Sequence, residues 1–110
     1  MPRSADVVQG TLDLLVLKAL SLAPMHGWGI SDRIQQLSRD AFRIGQGSLY
    51  PALYRLEKKG LIRGEWRTTE NGREAKYYRL TPAGARAFAA EMDDWQNLVD
   101  AMRLVLVAKA

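Results

Sequence analysis

The sequence predicts an α+β chain, mostly α, in which three short helices lead into a β-hairpin and a long helix closes the chain. Three observations carry that class. Apolar residues recur at three- and four-residue intervals over separate stretches before residue 60. The period then changes to alternation on both sides of the pair Asn71-Gly72. From Pro82 onward a heptad rhythm runs towards the C-terminus.

The first helix is placed on "GTLDLLVLKALSLAP", with Leu12, Leu15, Val16, Ala19, Leu22 and Ala23 as its buried stripe. Thr11 is its expected N-cap, Asp13 suits the positive end of the helix dipole, and Pro24 stops it. A second helix follows "MHGWG", with Ile30, Ile34 and Leu37 inward and Asp32, Arg33, Gln35 and Gln36 mostly outward. In "AFRIGQG", Phe42 and Ile44 alternate about Arg43, as in a very short strand. The third helix is "SLYPALYRLEKK", with Ser48 as its cap, Pro51 in its first turn and Gly60 as its left-handed terminator. Leu49, Leu53 and Leu56 form its inner face. Two outward stripes remain: Ser48, Pro51, Arg55 and Lys59 on one, Tyr50, Tyr54 and Glu57 on the other.

Asn71-Gly72 predicts a two-residue type I′ turn, because both of its positions need positive φ. Tyr78 and Leu80 share the core face of the returning strand, while Arg67, Arg73 and Lys76 give the hairpin a basic tip. Thr81 caps the last helix and Pro82 takes its first position. Along it Ala85, Phe88, Met92, Trp95, Val99, Met102 and Leu106 are spaced 3, 4, 3, 4, 3, 4, the rhythm of a coiled-coil seam. Such a helix is about 40 Å long, more than so small a domain needs to cover itself, so it calls for a partner helix.

Composition narrows the function classes. At 110 residues the chain is one domain, and 47% hydrophobic with 25% charged residues is ordinary for a globular protein. The N-terminal "MPRSADVVQG" lacks the apolar core of a signal peptide and no run suits a membrane span, so a cytoplasmic protein is expected. Without cysteine there is no thiolate metal site, disulfide or cysteine nucleophile, and one histidine offers little to a metal. No cofactor, no metal and no enzymatic activity are expected; the best acid–base pair, His26 with Asp32, is a weak signal. His26 suits a capping or packing role better than ligand binding. Residues 1–80 hold 13 Lys and Arg against 8 Asp and Glu, whereas residues 81–110 hold 3 against 4, so the basic excess lies in the helices and hairpin.

Helix, helix, helix, hairpin is the order of a winged helix-turn-helix, in which the third helix enters the major groove and the hairpin touches DNA beside it. The stretches "GTLDLLVLKAL", "HGWGI", "GSLYPALYRLEKKGLI" and "ENGREAKYYRLTPAG" resemble the PadR family of bacterial transcriptional regulators, in the family's order and over roughly residues 8–105. One departure is Trp28, where the family more often has tyrosine. The resemblance implies a winged-helix DNA-binding domain over 1–80 and a dimerisation helix over 81–110, within one continuous domain. It also implies the short subgroup, whose dimers form through the single C-terminal helix, and sensing of small aromatic compounds.

Double-stranded DNA is thus one expected partner and a second copy of the chain another. The DNA-binding candidates are Ser48, Tyr50, Pro51, Tyr54, Arg55, Lys58 and Lys59 on the third helix, with Arg67, Arg73 and Lys76 on the hairpin. Hydroxyls and cations suit phosphate oxygens, and arginine can read guanine bidentately. Other roles stand beside these: the tyrosines could pack with their hydroxyls at the rim, Lys58 and Lys59 could serve the helix dipole, and Arg73 and Lys76 could be surface charges. The seam residues Ala85, Phe88, Met92, Trp95, Val99, Met102 and Leu106 are the dimer candidates. Trp95 with Met92 is either interface core or the wall of a site for a small aromatic effector. The reading overall is a homodimeric repressor on an inverted repeat; the alternative is a winged-helix protein-interaction module with weak, non-specific DNA affinity.

Overall fold

The computed structural model describes residues 5–110; residues 1–4, the start of the segment read as lacking a signal-peptide core, lie outside the described residues. The order is α1 (Ala5–Leu22), β1 (Met25–His26), α2 (Gly27–Leu37), α3 (Gln46–Lys58), β2 (Ile62–Thr68), β3 (Glu74–Leu80) and α4 (Pro82–Leu106). The strands form an antiparallel sheet in the order β1-β3-β2. This is the winged-helix α+β fold with a long C-terminal helix, as the sequence predicts.

The first helix begins earlier than its capping signal. Thr11 and Asp13 lie inside α1, so Thr11 caps nothing and Asp13 is remote from the N-terminus. A lone glycine inside a helix costs only about 1 kcal/mol, so Gly10 does not stop it. The buried side of α1 is Leu12, Val16, Leu17, Ala19 and Leu20, whereas Leu22 and Ala23 are exposed and Leu15 is partly buried. That side is wider than one stripe because α1 is the central helix, packed against α2, α3, α4 and β3. Ile30 and Ile34 meet it from α2 and Leu49, Ala52, Leu53 and Leu56 from α3; Ile62 and Tyr78 close the core from the sheet. Leu37, expected inward, is 53% exposed at the last turn of α2.

The connection from α2 to α3 contains no strand. Arg39 and Asp40 take positive φ, and Ser38 Oγ accepts from the Phe42 N–H at 3.0 Å, which turns the chain before it can extend. Ile44 still packs on the core, but Phe42 is exposed. The short strand of this fold is instead Met25–His26, paired with Tyr78 and Tyr77 of β3. Two residues carry no periodicity, so only the partner strand defines it.

The ends of α3 and α4 follow local chemistry. Gly60 has φ +76°, with Gly60 N–H donating to Glu57 O at 2.9 Å and Leu61 N–H to Leu56 O at 3.0 Å, a Schellman cap. Thr81 Oγ accepts from the Gly84 N–H at 3.0 Å and donates to the Gly60 carbonyl at 2.7 Å, so the cap of α4 also grips the end of α3. At the hairpin only Gly72 has positive φ, +79°. Gly72 N–H donates to Thr69 O at 3.0 Å and the Thr69 and Arg73 backbones close the loop, a longer turn than the two-residue type I′ expected.

Along α4 the seam residues divide. Phe88 packs on the domain's own core and Met92 and Val99 are partly buried, while Ala85, Trp95, Met102 and Leu106 are exposed. Leu98, Leu104, Val105 and Val107 are exposed as well, so the far half of α4 is apolar over more than one stripe. No helix among the described residues is long and apolar enough to cross a membrane.

Candidate nucleic-acid interface

The exposed side of α3 lies next to the hairpin, and one carboxylate ties the two together. Glu57 accepts the Lys76 ammonium at 3.1 Å with Oε1 and the Gly64 N–H at 3.2 Å with Oε2, so a single helix residue holds both strands of the wing. Lys76 also lies 5.5 Å from the Tyr78 ring centre. Burial pushes the Tyr78 phenol above its ordinary pKa, against the opposing effect of the Lys76 charge.

Ser48 and Pro51 sit differently from their expected positions. The helix starts at Gln46 behind the extended residue Gly45, so Ser48 is inside it and caps nothing. Pro51 is likewise inside the helix, past its first turn. Without an N–H it leaves the Gly47 carbonyl without its helical donor. Gly47 is exposed with open space around its Cα, so water reaches that carbonyl and the interruption is tolerated. The result is a polar front on α3, made of Gln46, Gly47, Ser48, Tyr50 and Pro51.

The remaining candidates fall into free and tethered groups. Tyr54 is 62% exposed, with the Lys58 ammonium 5.6 Å from its ring centre, and Lys59 is exposed at the C-cap. Arg55 is turned back towards α1, where its Nη2 meets Asp13 Oδ1 at 3.0 Å. Arg67 pairs with Glu65 at 3.7 Å and lies 5.3 Å from the Tyr77 ring centre. Among the described residues Arg73 has no carboxylate within ion-pair distance, but Glu70 and Glu74 flank it in the chain, so the hairpin tip is not purely basic. Sequence reasoning missed Asp13 and Glu57 as partners, since each contact joins separate elements and leaves no local signal.

Gly27 was missed too. A Cβ there would lie 2.8 Å from the Tyr50 hydroxyl and 3.0 Å from its ring, so the bare backbone of α2 seats that tyrosine. Gly27→Ala is expected to change stability by no more than about 1 kcal/mol, because the far end of an exposed side chain can swing away. Its effect on DNA binding should match that of Tyr50→Ala within about twofold in a salt-matched titration. An unaltered affinity in Gly27→Ala with a loss in Tyr50→Ala would show that the seat does not matter.

His26 caps α2, its Nδ1 accepting from the Gly29 N–H at 2.9 Å, which leaves the proton of the neutral ring on Nε2. That is the capping role its isolation in the sequence favoured.

An exposed polar helix beside a wing is the geometry of a DNA reader, and the comparisons with known proteins agree. Residues 16–90 match the model of the transcriptional regulator PadR-like family. The chain is 44% identical over 72 residues to transcriptional regulator Rv3488 of Mycobacterium tuberculosis, covering 66% of this chain and 64% of that protein. A PadR family transcriptional regulator from Eggerthella lenta superposes with a TM-score of 0.79 at 31% identity, over 94% of this chain and 88% of that one. A transcriptional regulator from Clostridium thermocellum does so with a TM-score of 0.81 at 29% identity, over 97% and 100% of the two chains. With the family model spanning most of the winged helix and the solved relatives nearly the whole chain, this protein belongs to the PadR-like family of DNA-binding transcriptional regulators.

Proposed function

We propose that the chain is a repressor that binds an inverted-repeat operator as a homodimer, α3 entering the major groove and the wing lying against the backbone beside it. The observation that carries this is the exposed front of α3, with Ser48, Tyr50, Pro51, Tyr54, Lys58 and Lys59 facing away from the core and Glu57 fixing the wing alongside. The dimer reading is supported by the far half of α4, where Leu104, Val105 and Leu106 are each more than 70% exposed. Acting on DNA, the protein would work in the bacterial cytoplasm. Two copies of α4 would bring their Trp95 rings together, and a small aromatic effector seated there with Met92 would alter the spacing of the two α3 helices.

A gel-shift titration with DNA from immediately upstream of the protein's own gene tests the function. A saturable shift that survives competitor DNA supports repression. Weak, salt-sensitive binding to every sequence would instead support the protein-interaction reading, in which the same face of α3 meets a protein. Neutralising Arg73 and Lys76 together is expected to lower affinity for all DNA and reduce the salt slope by about one to two. An unchanged salt slope would count against the wing as a DNA contact.

Trp95→Ala is expected to keep the operator shift while removing its relief by flat aromatic compounds, provided the rest of α4 holds the dimer. Unchanged relief in that variant makes Trp95 interface packing rather than a sensor.

A further inference from the structure

A cleft of about 770 Å³ opens between the β1–α2 junction, the start of α3 and the hairpin. It is an open groove rather than an enclosed cavity, so a flat ligand would lie along its wall. His26, Gly27 and Trp28 form one side, Tyr50 a second, and Trp66 with residues 69–71 and 73–78 the third. Trp28 is 64% and Trp66 67% exposed, so two indoles face water on one cleft, an arrangement that leaves a large apolar area uncovered. The wall is also preformed. The His26 ring, fixed by its bond to Gly29, stacks on Trp28 at 6.2 Å and 16°, and meets Tyr77 edge-on at 5.3 Å.

Among the side chains that line the cleft, unpaired carboxylates outnumber unpaired cations. Glu57 neutralises Lys76, and Glu65, outside the lining, is shared between Arg67 and Arg79. The cleft lining adds the carboxylates of Glu70 and Glu74 against the single guanidinium of Arg73. Indole faces are themselves negative and attract cations. We propose that this cleft binds a planar aromatic cation, stacked on Trp28 and Trp66 with its charge towards Glu70 and Glu74. The site is separate from the seam of α4 and is complete within one chain. Its consequence for regulation rests on the DNA reading: Tyr50 and Arg73 belong to both surfaces, so the cation and the operator would exclude each other.

Thioflavin T, a flat cation that brightens when its rings are immobilised, is titrated into the full chain without DNA. Saturable brightening at one site per chain is expected, with affinity weakened about tenfold or more in Trp28→Ala/Trp66→Ala and kept in Trp95→Ala. Glu70→Gln/Glu74→Gln, confined to the exposed turn and strand start, should weaken it severalfold; this variant decides the matter if the double indole variant does not fold. The proposal is overturned if the wild-type chain shows no saturable site, if binding follows Trp95 instead, or if the anion 8-anilinonaphthalene-1-sulfonate occupies the cleft as tightly. Operator shifts run on the same proteins separate the two readings. A retained shift without thioflavin binding removes the cleft site, and thioflavin binding without any specific shift sustains the site while removing the DNA reading.

Discussion

Gly84→Ala is expected to destabilise the protein by about 3 kcal/mol and to lower Tm by more than about 10 °C. Gly84 is the one buried residue of α4, and a Cβ on it would overlap the Leu61 carbonyl oxygen and lie 2.9 Å from the carbonyl carbon. That obstacle is backbone, so no rotamer change relieves it. The same carbonyl accepts the Thr81 N–H at 3.1 Å. Lifting α4 off Leu61 would therefore break the joint that links the end of α3 to the start of α4, and would draw Phe88 away from the core. Gly10→Ala is the control, since Gly10 lies inside α1 and a Cβ there would have no atom of the described residues within 4 Å. There the substitution should be neutral or stabilising by up to about 1 kcal/mol. Thermal unfolding of both variants checks the pair; equal melting temperatures would mean that the α4 joint gives way at no cost.

Arg55→Ala should weaken specific operator binding by about 1–3 kcal/mol. The structure adds a second arm to this test, because Arg55 rests on Asp13 and must leave it to reach DNA. Asp13→Asn removes the competing carboxylate, so affinity for DNA should rise, by up to about tenfold at low salt. Stability should fall by no more than about 1 kcal/mol in either variant, the usual worth of a pair that still touches water. If Arg55 only braces α1 against α3, both substitutions will cost similar stability and leave operator affinity unchanged. Opposite shifts in affinity are the signature of an arginine shared between the two partners.

If these two positions behave as expected, they also mark how far local signals reach. Asp13 reads in the sequence as a dipole residue near a helix start, yet the helix begins eight residues earlier and its carboxylate serves a residue 42 positions away. Arg55 reads as a free cation on an outward stripe and Lys76 as one on the basic hairpin, and each is held by a carboxylate of another element.

What the sequence by itself determined is the order of elements and most of the ends that are set by chemistry within a few residues. The Gly60 terminator, the Thr81 cap with Pro82 behind it, the inner leucines of α3 and the core position of Tyr78 all follow from period, φ preference and short-range hydrogen bonding. Tertiary structure decided the rest. It moved the short strand from residues 42–44 to Met25–His26 and joined Arg55 to Asp13 and Lys76 to Glu57. It also brought Trp28 and Trp66 to one cleft although they lie on separate elements. The physical reason is range. Capping and periodicity act over one or two turns, whereas a two-residue strand, an ion-pair partner on another element or a shared aromatic wall exists only once distant segments have packed together.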